Sequence, residues 1–211
     1  MPDLSTFANM KSVLLTTEYF GPISSYQLIN RAELALVEHC ENYQKKSYRN
    51  RCRILSPNDV VMLSVPLESG KNSKCPIGDV KISYDDDWIT EHSQSLKACY
   101  GKSPYYEYYI DDLLDILQQK HSYLVDLNEA LTTYLLKCLE LETPLRRTED
   151  FQKEVHMDTI DVRRYDYLNR SKLEIEALKY NQVWSDRHSF IADLSILDLL
   201  FCKGPEGILY L

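Results

Sequence analysis

SVLLTTEYFGPISSYQLINRAELALVEH, residues 12–39, is the stretch from which the fold can be read. Ser12–Thr17 (SVLLTT) is a short apolar run and reads as a buried strand. Gly21-Pro22 interrupts the chain, and Ile23–Arg31 is amphipathic, with Tyr26, Leu28 and Ile29 available for a core face. A second apolar run, Leu34–Val37 (LALV), follows at once. Strand, helix and strand in this order favour a parallel pair joined by a right-handed crossover. Ligands in such sheets bind beyond the carboxyl ends of the strands. Thr16, Thr17, Glu18 and Tyr19 after the first strand, and Glu38 and His39 after the second, occupy that position.

Outward from this unit, Arg51–Leu55 and Val60–Val65 flank Ser56-Pro57-Asn58-Asp59, a turn composition with Pro at its second position, and predict a hairpin. Gly78–Ser83 (GDVKIS) predicts one more short strand after a polar loop at Ser69–Lys74. The second half is helical. Asp85, Asp86 and Asp87 suit the start of a helix that carries Trp88, His92, Leu96 and Tyr100 on one face and stops at Gly101. Tyr105, Tyr109, Leu113 and Leu117 mark a second helix, and Leu124, Leu127, Leu131, Leu135, Cys138 and Leu141 a longer third. Ser195-Ile-Leu-Asp198 has capping-box spacing ahead of Leu199, Leu200 and Phe201, with Gly204-Pro205 as a stop. Ile208–Leu211 predicts an edge strand. The expected fold is α/β, a mixed, partly parallel sheet in the N-terminal half with a helical C-terminal half packed on it. Residues 1–211 form one domain, long enough to bury about 70% of its unfolded surface without a metal or disulfide. From about 146 to 180 charges crowd without a period, although Ser171–Leu178 has helical composition. This insertion is either a mobile cover over a ligand site or a surface excursion.

Charge distribution narrows the function. The formal net charge is −8, which opposes nonspecific binding to nucleic acid, since that affinity comes from many phosphate contacts. Against this background Lys45–Arg53 (KKSYRNRCR) gathers five cations and no acid. Lys45, Arg49, Asn50 and Arg51 are therefore candidates to grip an anionic small molecule through charge-assisted, forked hydrogen bonds. The alternative is a strand edge guarded against aggregation by its charges.

Other chemistry is thinly represented. The five histidines show no HExxH or HxH pattern and no cysteine partner, so no metal is expected, and no other cofactor is indicated. Six glycines form neither a P-loop nor a GxGxxG, so a phosphate must be held by side chains or helix N-termini. No GxSxG elbow is present. Six scattered cysteines, without a leader or an apolar run of spanning length, predict free thiols, a cytoplasmic setting and no stable membrane insertion. His92 is either a core histidine or an acid-base group, and His39, at a strand end, is equally open. The Tyr100 to Tyr109 cluster reads mostly as packing, although tyrosine hydroxyls at a pocket rim could orient a sugar, and Tyr19 and Tyr100 are counted among the substrate-binding candidates. Asp198 reads as a helix-cap acid.

Three stretches, taken together, resemble the WbqC-like family of bacterial surface-polysaccharide (O-antigen) gene clusters. In Tyr43–Ile54, Lys45 followed by Asn50, Arg51 and Arg53 matches a Lys then Asn-Arg-x-Arg pattern. Trp88 and His92, then Tyr100 and Ser103-Pro104-Tyr105, form the second. Leu194–Pro205 resembles the family's Leu-Ser-Ile-x-Asp-Leu-Leu-Phe and Gly-Pro ending. The similarity spans about Val13 to Leu211. The chain departs from a His-x-Pro-x-Tyr-x-Pro-Trp segment after the first strand: Leu15–Pro22 keeps Tyr19 but lacks the His and Trp. If that His were the family's base, Glu18 or His39 would serve here. The resemblance implies cytoplasmic work in surface-glycan assembly, with aminoacyl (glycine) transfer suggested for some members. Two functions follow as expectations. One is a transferase acting on a nucleotide-linked or lipid-linked sugar, with Lys45, Arg51 and Arg49 on the diphosphate and His92 or His39 as acid or base. The other is a noncatalytic assembly protein whose basic strand docks an acidic partner. Convergence of the Lys45 and Arg51 heads with His92 in one concavity separates them. Nothing in the sequence specifies an oligomeric state.

Overall fold

A computed structural model describes residues 10–68, 75–166, 169–173 and 175–211. The fold is mixed α/β. β1 (Ser12–Thr16), α1 (Ile23–Arg31) and β2 (Leu34–Glu38) make the expected unit, and the two strands pair in parallel with Leu15 opposite Val37. β3 (Arg51–Leu55) and β4 (Val60–Ser64) form the predicted antiparallel hairpin. In its turn, Ser56 Oγ donates to the Asp59 carbonyl at 2.7 Å. The polar loop read at Ser69–Lys74 lies outside the described residues.

Three helices follow, α2 (Trp88–Tyr100), α3 (Tyr106–Gln118) and α4 (Leu124–Cys138). Asp87 caps α2 by accepting from the Thr90 N–H. β5 (Leu145–Arg147) and β6 (Thr159–Asp161) then complete a four-stranded parallel sheet in the order β5-β2-β1-β6. These strands come from the charge-crowded segment where no period was visible. Each has three residues, and its pairing is imposed by β2 or β1: Val37 faces Arg147, and Ser12 faces Thr159 with their hydroxyls 2.6 Å apart.

α5 (Ile196–Lys203) is the centre of the core, with Ile196 through Cys202 all buried against α1, α3 and β3. An eight-residue helix is marginal alone; burial of its leucines, about 1.5–3 kcal/mol each, holds it. All six cysteine thiols stand unpaired. Among the described residues no helix is long and apolar enough to cross a membrane.

Local expectations are corrected at four places. Gly78–Ser83 is not a strand: Ile77–Asp79 is a 3-10 turn, and Lys81 and Ile82 make only isolated bridges, to Tyr123 and Leu67. Ile208–Leu211 is not an edge strand, because Gly204–Tyr210 continues from α5 as a 3-10 helix. Helix near 171–178 is limited to the 3-10 turn Arg170–Leu173. The capping box is incomplete: Ser195 Oγ accepts from the Leu197 N–H, but Asp198 is fully buried and accepts instead from Tyr180 Oη (2.6 Å) and Gln182 Nε2 (2.9 Å).

Buried arginines tie the irregular segments to the sheet. Arg163 donates to Glu38 at 2.7 Å and forks onto Asp161 at 2.9 and 2.6 Å. Glu38 also accepts from Thr148 Oγ1 and the Cys40 N–H, so both its oxygens are satisfied. Arg163→Met leaves a buried carboxylate without its cation, and urea unfolding is expected to register a loss of about 3–5 kcal/mol. The exposed Arg187→Met is expected to stay within about 0.5 kcal/mol. Equal effects would mean that the buried pair holds nothing together.

Candidate functional site

Side chains two residues apart on a strand share a face. The register therefore aligns Leu15, Val37 and Arg147 across the sheet, with Thr17 and His39 just past the strand ends. This row meets α1 and α4 around a narrow pocket whose cavity volume is about 40 Å³. Leu15, Tyr26, Ile29, Val37 and Leu145 make its apolar wall. Polar groups converge on it from four places: Thr17 and Glu18 after β1, His39 after β2, Arg146 and Arg147 on β5, and Asn128, Glu129 and Thr132 on α4.

Each polar group has a definite state. Asn128 is 1% exposed and interrupts the apolar face of α4 between Leu124 and Leu131. Its amide donates to Thr17 Oγ1 (3.0 Å) and to the Arg49 carbonyl (2.8 Å), while Oδ1 is buried without a partner. An unsatisfied buried acceptor costs about 1–3 kcal/mol and marks a place where a donor belongs. Glu18 is buried, and a Cβ on Gly21 would collide with its carboxylate, so a side chain there would push Glu18 aside. Burial raises the Glu18 pKa against the opposing pull of Arg170 and a Ser25 hydrogen bond. For His39 burial and then the nearby Arg147 lower the pKa, which keeps the imidazole neutral at pH 7. Arg147 pairs with Glu129 and, at 3.5 Å, with Asp126. Thus a carboxyl moved up and an imidazole moved down share one wall, as acid-base chemistry near neutrality requires.

The remaining candidates lie elsewhere. Arg49 is 1% exposed, and its Nε and Nη2 both donate to Glu41, at 2.9 and 2.6 Å. Asn50 donates to the Val65 carbonyl and accepts from Tyr43 Oη. Lys45 is exposed, and Arg51 is half-buried outside the pocket. Tyr19 is fully buried, with Oη 2.9 Å from His92 Nδ1, and Trp88 stands edge-on to the imidazole at 5.1 Å. Tyr100 is fully buried, and its hydroxyl oxygen accepts from the Leu55 N–H. Glu18 and His39 thus line one pocket, while Arg49 and Asn50 are buried on partners within the protein. Sequence reasoning missed Asn128, whose signal was a polar residue on an apolar helical face. It also missed Arg147 and Arg170, which had none.

Comparison with known proteins fits this geometry. A profile of the WbqC-like protein family matches residues 17–170, well over half of the sequence. The chain belongs to that family. The match begins at Thr17 in the pocket wall and ends at Arg170 behind Glu18. Outside it lies Leu194–Pro205, one of the stretches on which the resemblance rested. The uncharacterized protein Rv1507c of Mycobacterium tuberculosis is 24% identical over 230 aligned positions, covering 96% of this chain and 98% of the relative. No solved structure is significantly similar to the chain.

His92 gives the site region a measurable pH dependence. Burial lowers its pKa to about 4, only partly offset by a backbone hydrogen bond with Ser64. The unfolded chain, with a His pKa near 6.5, then binds the proton more readily than the folded one. This contribution is complete above pH 6.5 and is lost as pH falls toward 4, on the order of 3 kcal/mol. Urea titrations at successive pH values are expected to give a flatter profile for His92→Gln than for the parent over that window. Parallel profiles would show that the buried imidazole takes up its proton without cost.

Proposed function

We propose that the protein is a transferase acting on a nucleotide-linked or lipid-linked sugar in bacterial surface-polysaccharide biosynthesis, working in the cytoplasm. The observation that carries this reading is Glu18 and His39 lining one pocket together with Arg147 and the buried Asn128. Neutral His39 takes the proton of an acceptor hydroxyl or amine as that atom bonds to the transferred carbon. Glu18 gives a proton to the departing donor oxygen. Arg146 and Arg147 supply positive charge for an anionic substrate, and Asn128 Oδ1 accepts from a substrate hydroxyl or amine. An aminoacyl unit such as glycyl is the transferred group that family resemblance suggests. No step needs a metal or an organic cofactor.

A second reading has its own observation. Lys45 is exposed while Arg49 is paired with Glu41, and in a noncatalytic protein this strand end would meet an acidic partner.

Assays that combine sugar nucleotides with glycyl and other acyl donors separate the two. Turnover is expected, with Glu18→Gln and His39→Asn each lowering kcat by about 10²–10⁴ and changing KM far less. Calorimetric binding without turnover across such a panel, or rates indifferent to both substitutions, removes the transferase and leaves the docking protein.

A further inference from the structure

A second cavity opens on the other side of the first turn of α1. Its cavity volume is about 410 Å³, within the size range of small-molecule sites. Ser25 lines the first pocket and Ser24 the second, and the buried Arg170 guanidinium donates to both hydroxyls. Arg170 also approaches Glu18 at 3.8 Å, so it forms part of the wall between the two spaces.

Three features of the second cavity call for a ligand. Arg53 comes first: it lies on β3 between the buried Cys52 and Ile54, is half-buried, and lines the cavity. Its guanidinium makes no ion pair or hydrogen bond among the described residues, unlike Arg49, Arg163 and Arg170. A half-buried guanidinium in a concavity can grip an anion through charge-assisted hydrogen bonds, although the Asp193 carboxylate shares this space. Aromatic rings come second. Tyr180 meets Phe190 and Tyr210 edge to face, at 5.4 and 5.6 Å between centroids, and all three line the cavity. Asp193 comes third. Its backbone is in the left-handed region (φ 55°), and its Oδ1 accepts the Ser24 N–H at 2.9 Å. The helix N-terminus thus neutralises this carboxylate in part, leaving it able to accept from hydroxyl groups.

We propose that this cavity binds a nucleoside phosphate, with the phosphate on Arg53, the base against the Tyr180, Phe190 and Tyr210 rings, and a ribose hydroxyl on Asp193. A phosphorylated lipid suits it less, because Ser24, Gln27, Ser171 and Asp193 interrupt the apolar wall that an alkyl chain needs. The inference deepens the transferase reading by choosing its nucleotide-linked class, but it rests on this cavity alone.

Isothermal titration of the full chain with uridine, cytidine, adenosine and guanosine diphosphates tests it, with pyrophosphate and dodecyl phosphate as further probes. At least one nucleoside diphosphate is expected to bind. Arg53→Gln and Phe190→Ala should each weaken it roughly tenfold or more. Arg53→Lys should restore part of the loss, and the exposed Lys137→Gln should change nothing. Thermal unfolding of each variant identifies any that fail to fold, and the other substitution then decides. No binding at millimolar nucleotide overturns the proposal. Pyrophosphate or dodecyl phosphate binding as tightly as any nucleotide also overturns it, as does binding abolished by Arg147→Ala but not by Arg53→Gln. Arg53-dependent binding with no turnover would sustain the nucleotide site while removing the transferase. Turnover with Arg53-independent binding would do the reverse.

Discussion

Three arginines buried at the carboxyl end of the sheet hold the molecule together. Arg163, Arg49 and Arg170 meet Glu38, Glu41 and Glu18 respectively. Two of these arginines come from the irregular segment after α4, and the third from the basic run before β3. Segments with little apolar surface cannot be anchored by hydrophobic burial, so they are anchored by charge. Such anchoring depends on geometry, because each ion leaves water at a cost of several kcal/mol and recovers it only through good hydrogen bonds. Glu38 meets that condition fully, with donors on both oxygens. Segment and strand end therefore form one unit, and β5 and β6 gain their places in the sheet although neither has an apolar run of its own.

The three carboxylates differ in how their arginines meet them. Arg49 donates twice to Glu41, and Arg163 donates to Glu38 at 2.7 Å. Arg170 differs: its N–H groups donate to Ser24, Ser25 and the Tyr165 carbonyl, and its nearest approach to Glu18 is 3.8 Å. Glu18 consequently feels the arginine's field without a direct donor, and burial outweighs that field. Glu41 and Glu38 accept directly from guanidinium groups and Glu18 does not, although burial raises the pKa of Glu41 as well as that of Glu18.

Much of this fold was legible in the sequence because its signals are local. β1, α1 and β2 are written as apolar runs and a 3.6-residue period, and the hairpin as a turn composition between two strand-like runs. The pocket lies where the topology places ligands, past the strand ends, and Glu18 and His39 line it. The basic run shows where composition stops short. Composition records charge, not whether a charge already has its partner, and Arg49 has Glu41 eight residues away across a loop. Conversely, Arg147, Arg163 and Arg170 lie in a segment without periodicity, where sequence separation from their partners hides their role. Asp198 misled because capping-box spacing specifies only where a side chain can reach; burial beside Tyr180 and Gln182 offered it better donors.

Placing two cavities on either side of one helical turn has a consequence for chemistry. Ser24 and Ser25 are adjacent in sequence and project into different spaces, so the first turn of α1 cannot shift on one side without shifting on the other. Arg170 reinforces this by bonding to both hydroxyls while standing behind Glu18. An anion entering the second cavity beside Arg53 would add negative potential near that guanidinium and reduce the field it exerts on Glu18. The carboxyl would then hold its proton more firmly, as an acid poised for a leaving group needs to do. Coupling of this kind requires no lid or domain motion. It requires only that one buried cation be shared between two sites, and Arg170, which donates to both serines and to the Tyr165 carbonyl, is fixed too firmly to serve one and abandon the other.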